Sequence, residues 1–348
     1  MTLSFSRFLG IIISDFPLLI VTLLFIVFTF VSAWTDAPNS IVTGVTSASL
    51  NIYQATGLAV VFNFLGAFLI STVNMKVAQS IGQLVNFSPD SGGLLLVLRV
   101  ALFVVILWSL ASWSLGLPVS KTHGLISAMT GAGLAYYGKE AIDYNQWIKT
   151  LKGFVLVLVA GFLLAFILVS LIKKMTQSLS RKEISPFFPK GQAFSCGLMS
   201  FVQGAQGGQK FNAIFILILA YAQNQAIDNY FFIPSWVPIS CALVLALGTA
   251  MAGLKIIRTL GEKMVRLEPY EAFSSDIATA ISLGVTTLMG LPVSTTHSKT
   301  AAMLGAGAGR SLKKINWRVA LFVFMVWLGT FVLCLGLSYL LVRLILMF

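Results

Sequence analysis

The sequence predicts an all-α integral membrane protein with about ten membrane-crossing segments in two inverted-topology repeats, some of them broken or re-entrant. Three observations lead there: apolar residues gathered in long runs, one polar motif written twice, and basic residues confined to particular connectors.

Of 348 residues, 57% are hydrophobic and 10% charged, too apolar for a soluble domain. A backbone in hydrocarbon must satisfy its own hydrogen bonds, which leaves helices or a closed barrel, and barrel-type alternation is absent. The net charge of +12 sits in short connectors, the distribution of a membrane protein, so no nucleic-acid partner is expected. Cys196, Cys241 and Cys334 are scattered in apolar stretches without metal-ligand spacing and read as reduced packing residues; no cofactor is implied. Arg7, the apolar run from Phe16 and Val31-Ser32-Ala33 imitate a cleavable leader. The run is longer than a leader's apolar stretch and feeds into a polar motif, so it is expected to stay as a crossing.

Apolar windows place crossings at 17–50 (long and interrupted), 55–73, 93–113, 117–136 and 151–172, then at 194–221, 236–254, 273–289, 290–309 and 317–345. An odd count per half brings the second half in from the opposite face. Residues 1–172 form the first repeat, 173–193 a cytoplasmic linker with Pro186 and Pro189, and 194–348 the second repeat. Connector charge agrees. Lys173, Lys174, Arg181, Lys182 and Lys190, then Lys255, Arg258, Lys263 and Arg266, then Arg310, Lys313, Lys314 and Arg318 mark cytoplasmic connectors, whereas 222–235 has no Lys or Arg. Both termini then lie outside. Segments 117–136 and 290–309 either cross or dip in and return.

The duplicated motif is Gly-Leu-Pro-Val-Ser-Lys-Thr-His at 116–123 and Gly-Leu-Pro-Val-Ser-Thr-Thr-His at 290–297; with their small-residue tails the copies share 12 of 20 positions. Each reads as a helix start where hydroxyls and free N–H groups converge at the positive end of a dipole, an anion site if the two approach each other and a plain cap if they do not. Gly131-Ala132-Gly133 and Gly305-Ala306-Gly307 read as small residues for close helix packing. His123 and His297 read as satisfied structural donors, with proton shuttling as the alternative.

Apart from candidates near helix ends, charges in apolar segments fall in the motifs: Asp36, Lys121, His123, Lys210, His297 and Lys299. Each costs about 2.5–3.5 kcal/mol near the midplane, so each needs a reason. Arg99, Lys152, Arg343 and, as an alternative, Lys299 read as snorkelling to an interface. In Thr35-Asp36-Ala37-Pro38-Asn39 the proline is expected to break a helix, freeing carbonyls that join Asp36 and Asn39 as an oxygen cage for an alkali cation.

TDAPNS at 35–40, GAQGGQK at 204–210 and the paired LPVS(K/T)TH elements together resemble the inorganic phosphate transporter (PiT) family of cation-coupled permeases. The resemblance covers nearly the whole chain. It implies phosphate binding by Asn39, Ser120, Lys121, Thr122, Gln209, Lys210, Ser294, Thr295 and Thr296, and cation binding by Asp36, Asn39, Gln206 and Gln209. No metal is implied beyond a transported Na+. Two departures stand out: Gly207 replaces an aspartate usual in the second signature, and Lys121 replaces a commoner neutral residue. Both make the site more positive, which weakens sodium binding and favours an oxyanion.

The reading is a secondary transporter for inorganic phosphate, coupled to Na+ or H+, alternating between two inverted repeats in the cell membrane, and not an enzyme. A sulfate or other tetrahedral-oxyanion permease is the close alternative. A membrane-embedded enzyme on phosphorylated lipid is the distant one, lacking a nucleophile–base pair or metal spacing. Expected partners are phosphate, the coupling ion and the lipid bilayer, with a homodimer left open.

Overall fold

The computed structural model describes residues 3–87, 91–178, 187–224, 233–252 and 254–348; these residues are helical apart from turns and one isolated bridge, Val85 to Ile142. The first half holds α1 Phe5–Ser14, α2 Phe16–Asp36, α3 Pro38–Thr46, α4 Ile52–Val73, α5 Lys76–Gly82, α6 Ser91–Ser114, α7 Lys121–Tyr137 and α8 Tyr144–Met175. The second holds α9 Phe187–Ala222, α10 Trp236–Ala250, α11 Pro269–Leu288, α12 Thr295–Arg310 and α13 Trp317–Ile345, with a π-helix at Arg258–Met264 before α11. Helix starts follow local chemistry. Asp15 accepts from Leu18 N–H at 3.0 Å to cap α2, and capping boxes of Asn51 with Gln54 and Glu268 with Glu271 open α4 and α11.

Phe16–Thr46, Ile52–Val73, Gly92–Ser114, Tyr144–Met175 and Trp317–Ile345 are long and apolar enough to cross a bilayer. Trp236–Ala250 with Lys255–Met264, bent by 71°, makes a sixth if counted as one span. The molecule is a multi-pass membrane protein, although this count is lower than the ten expected. Part of the difference lies in the interior: α7 and α12 are only 17 and 16 residues long and almost wholly covered by protein, so they need not be apolar. Lipid-facing helices show the opposite pattern, with Val155, Val159 and Leu163 on α8 and Leu321, Met325 and Val332 on α13 exposed.

Packing is reciprocal between the halves. α4 lies on α9 while α10 lies on α2, and α8 lies on α12 while α13 lies on α7. Small residues set these distances, as the sequence suggested. A Cβ at Gly131 would run into the Leu335 backbone on α13, and one at Gly305 into the Phe162 backbone on α8. Gly204 and Gly208 likewise admit Asn63 and Ala67 of α4.

Helices enter both ends of the 173–193 segment expected to be a linker. Lys173 and Lys174 form the last turn of α8, and Pro189 and Lys190 lie in the first turns of α9, where proline costs little. Arg181, Lys182 and Pro186, and most of the 222–235 connector that has no Lys or Arg, lie outside the described residues. The two later basic connectors meet at one end of the bundle, where Asn316 N–H donates to Met264 C=O at 2.9 Å and Arg310 pairs with Glu268.

Candidate functional site

The two motif copies fold alike. Gly116 and Gly290 take φ of +69° and +73°, the left-handed conformation that ends α6 and α11 and that glycine adopts without strain. Leu117 N–H closes on Ser112 C=O at 2.8 Å, and Leu291 N–H on Thr286 C=O at 2.9 Å. The chain then runs extended to Ser120 and Ser294, which cap α7 and α12 by accepting from the backbone N–H of His123 (3.1 Å) and His297 (3.3 Å). The copies meet: Thr296 Oγ1 accepts from Asn39 Nδ2 at 2.9 Å and donates to Val119 C=O at 3.4 Å.

Asp36 ends α2 beside this junction. Lys121 Nζ lies 2.9 Å from its Oδ1 and Lys210 Nζ 3.9 Å from its Oδ2, while Gln203 Nε2 donates to its backbone carbonyl at 3.3 Å. The break expected at Pro38 is smaller than predicted. Ala37 keeps right-handed helical angles (φ −51°, ψ −37°) and its N–H still reaches Ala33 C=O at 2.9 Å, so α2 passes into α3 without an unwound stretch. Proline at the first position of α3 loses an N–H that needed no partner there. Ammonium groups occupy the Asp36 carboxylate, and its backbone carbonyl is taken by Gln203.

Asp36, Thr122, Gln206, Gly207, Lys210 and Thr295 line a cavity of about 20 Å³, together with Ser32, Gln203, Asn63 and Thr249 and the apolar Ala33, Phe211 and Leu245. That is room for about one water. Of the residues implied in phosphate binding, Thr122, Thr295 and Lys210 reach this cavity; Lys121 reaches it through Asp36, and Asn39 and Thr296 stand behind it as a bonded pair. Gln206 also serves the backbone: its Nε2 donates to Leu291 and Val293 C=O at 3.1 and 3.2 Å, and its Oε1 accepts from Thr287 at 2.6 Å. Gln209 is held elsewhere, accepting from Val77 N–H at 2.9 Å at the start of α5.

Three sequence readings change. His123 and His297 are not satisfied donors: their rings lie 4.6 Å apart, fully buried among Phe154, Phe331 and Trp327, and none of their four ring nitrogens has a hydrogen-bond partner among the described residues. Lys299 does not snorkel. It is wholly buried and pairs with Asp276 on α11. Asp276 lies inside α11 rather than near the helix end that a crossing drawn from 273 implies, because the capping box starts α11 at Pro269. Lys152 and Arg343 are exposed as expected, and Arg99 is half-buried.

Around the cavity stand two ammoniums, one carboxylate and the N-termini of α7 and α12, an arrangement positive overall and rich in donors. Lys210 is further flanked by the Phe211 ring at 4.8 Å. Among the described residues no three His, Cys, Asp or Glu side chains converge as metal ligands. Such a site suits an anion that rewards several donors at once.

A protein of Bacillus subtilis (strain 168) described as a "Probable low-affinity inorganic phosphate transporter" is 32% identical over 317 residues, covering 90% of this chain and 93% of its own length. A protein of the same description from Rhizobium meliloti (strain 1021) is 33% identical over 320 residues, covering 90% and 92%. A solved structure titled "The sodium-dependent phosphate transporter" has the same fold, with a TM-score of 0.83, 22% identity and coverage of 95% of this chain and 99% of that one. The profile of the phosphate transporter family matches residues 32–338, and the chain belongs to that family.

Proposed function

We propose that this protein is a secondary active permease for inorganic phosphate. The observation that carries it is the meeting of the α7 and α12 N-termini at one cavity where Lys121 and Lys210 outnumber Asp36. Hydroxyls of Thr122 and Thr295, helix-end N–H groups and two ammoniums supply donors to the oxygens of a tetrahedral oxyanion, and Asp36 accepts a hydrogen bond from the O–H that hydrogen phosphate carries and sulfate lacks. A tetrahedral oxyanion is larger than a 20 Å³ cavity, so Lys121 must leave Asp36 and turn to the substrate as it enters.

Transport is by alternating access between two inverted repeats of five crossings each, with α7 and α12 as the segments that meet from opposite faces. The reciprocal packing of α4 on α9 and α10 on α2 supports that symmetry. The protein sits in the cell membrane with the linker after α8 cytoplasmic and both termini outside, an orientation supported by its basic connectors. Each chain carries a complete site, so a homodimer would hold two independent ones. Coupling is to Na+ or H+. Lys121 and Lys210 already neutralise Asp36, which favours protons.

Purified protein in liposomes, given labelled phosphate with sodium and pH gradients imposed separately and sulfate as competitor, tests this. Uptake driven by the pH gradient and little affected by sulfate is expected. Sulfate competing as well as phosphate would favour the wider oxyanion reading, and uptake in neither gradient would reject symport.

A further inference from the structure

One helical turn beyond the Asn39–Thr296 contact, α3 and α12 are joined again by a charge cluster that phosphate binding does not use. Asp276 Oδ1 receives Lys299 Nζ in a close ion pair and Thr43 Oγ1 at 2.7 Å. Its Oδ2 receives Gln192 Nε2 in a close hydrogen bond and Ser195 Oγ at 3.1 Å. Lys299 Nζ also lies 3.0 Å from Thr43 Oγ1. All five residues are wholly shielded from solvent.

Packing does not require this cluster. In the register that sets Ser120 on Ser294, Asp276 falls opposite Leu102 and Lys299 opposite Leu125, both fully buried in the apolar core. The first half thus fills the same two positions with hydrocarbon. Removing a carboxylate and an ammonium from water is costly even when they pair, and apolar replacements of similar size commonly do as well or better. A charge retained only in the second half therefore points to a ligand chemistry.

The chemistry is that of a hard cation held by oxygen. Both Asp276 oxygens, Thr43 Oγ1 and Ser195 Oγ converge, and Gln192 Oε1 is buried there without a hydrogen-bond partner. Such oxygens suit an alkali cation. A cation already stands among them, and it is the ammonium of Lys299.

We propose that Asp276, Thr43, Ser195 and Gln192 form a monovalent-cation site that this protein occupies with its own Lys299. A tethered cation neutralises Asp276 but is never released, so the site fixes α3, α11, α12 and the start of α9 together and contributes no co-transported ion. Without Lys299, a free Na+ takes its place. The claim is independent of what the protein carries.

The test is thermal unfolding of the purified full chain in NaCl against choline chloride at equal ionic strength, for wild type, Lys299→Met and the double variant Asp276→Leu/Lys299→Leu, which copies the first half. The Lys299→Met protein is expected to melt lower than wild type in choline and to gain several degrees in NaCl, beyond any sodium shift of the double variant. The double variant should melt near wild type. Equal sodium shifts in Lys299→Met and the double variant would overturn the proposal. If Lys299→Met is recovered folded only when purified in NaCl, the proposal stands; if it folds in neither salt while the double variant folds, it fails.

Discussion

Lys121 Nζ lies 2.9 Å from Asp36 Oδ1, tying the first residue of α7 to the last residue of α2 and closing the cavity between the halves. The lysine side chain is 1% exposed and the aspartate 13%, so neither charge has much water to fall back on.

Replacing Asp36 by Asn leaves two shielded ammoniums facing each other's charge. The expected result is loss of concentrative phosphate uptake and a lower melting temperature. Adding Lys121→Thr should restore the melting temperature without restoring uptake, because it removes the stranded charge but not the missing acceptor. Normal accumulation by Asp36→Asn would remove this carboxylate from transport.

Gly207 lines the same cavity, and a Cβ there would meet Leu245 Cδ1 at 3.3 Å and no backbone, so a side chain fits after a small shift. Gly207→Asp should increase sodium stimulation of uptake, most clearly together with Lys121→Thr, since Lys121 would otherwise pair with the new carboxylate. Steep sodium dependence already present in wild type would contradict the reading of the site as too positive for Na+.

Ser120→Ala and Ser294→Ala each remove a helix cap and should each cost about 1 kcal/mol of stability, with the two losses adding. The double variant should also bind phosphate more weakly than either single one, because both helix ends face the cavity. Unfolding and uptake kinetics on the same preparations separate the two effects. Unchanged affinity would leave both serines as caps alone.

His123→Leu and His297→Leu should leave uptake intact and the melting temperature equal or higher, since each removes two buried nitrogens without partners at nearly constant volume. A drop of several degrees would show that the rings contribute packing that leucine cannot replace, and a lost pH dependence of uptake would show that they exchange protons with the transport path.

Helix α9 has 36 residues, about 54 Å at 1.5 Å per residue, well beyond the hydrocarbon thickness. Ser178→Cys and Asn224→Cys, introduced singly in a protein lacking Cys196, Cys241 and Cys334, should therefore label from opposite sides of the membrane. Labelling from one side would contradict an odd number of crossings per half.

The sequence determined the class, the duplicated motif and some of the residues that line the cavity, among them Asp36, Thr122, Lys210 and Thr295, because those depend on composition and on short-range patterns: an apolar run long enough to span, a glycine that ends a helix, a serine that caps the next. It indicated Asp36, Lys121 and Lys210 as charges needing partners, but not that they partner one another, since 36, 121 and 210 meet only when α2, α7 and α9 pack. Pro38 was misjudged for a similar reason: the residue alone implies a break, while its place at the start of α3 makes the interruption one residue long. Tertiary structure alone decided the rest. It stripped the two histidines of partners by stacking them in an aromatic box, turned Lys299 inward to Asp276, and made α7 and α12 interior helices that need not be apolar, because burial by protein and burial by lipid leave different marks on a sequence.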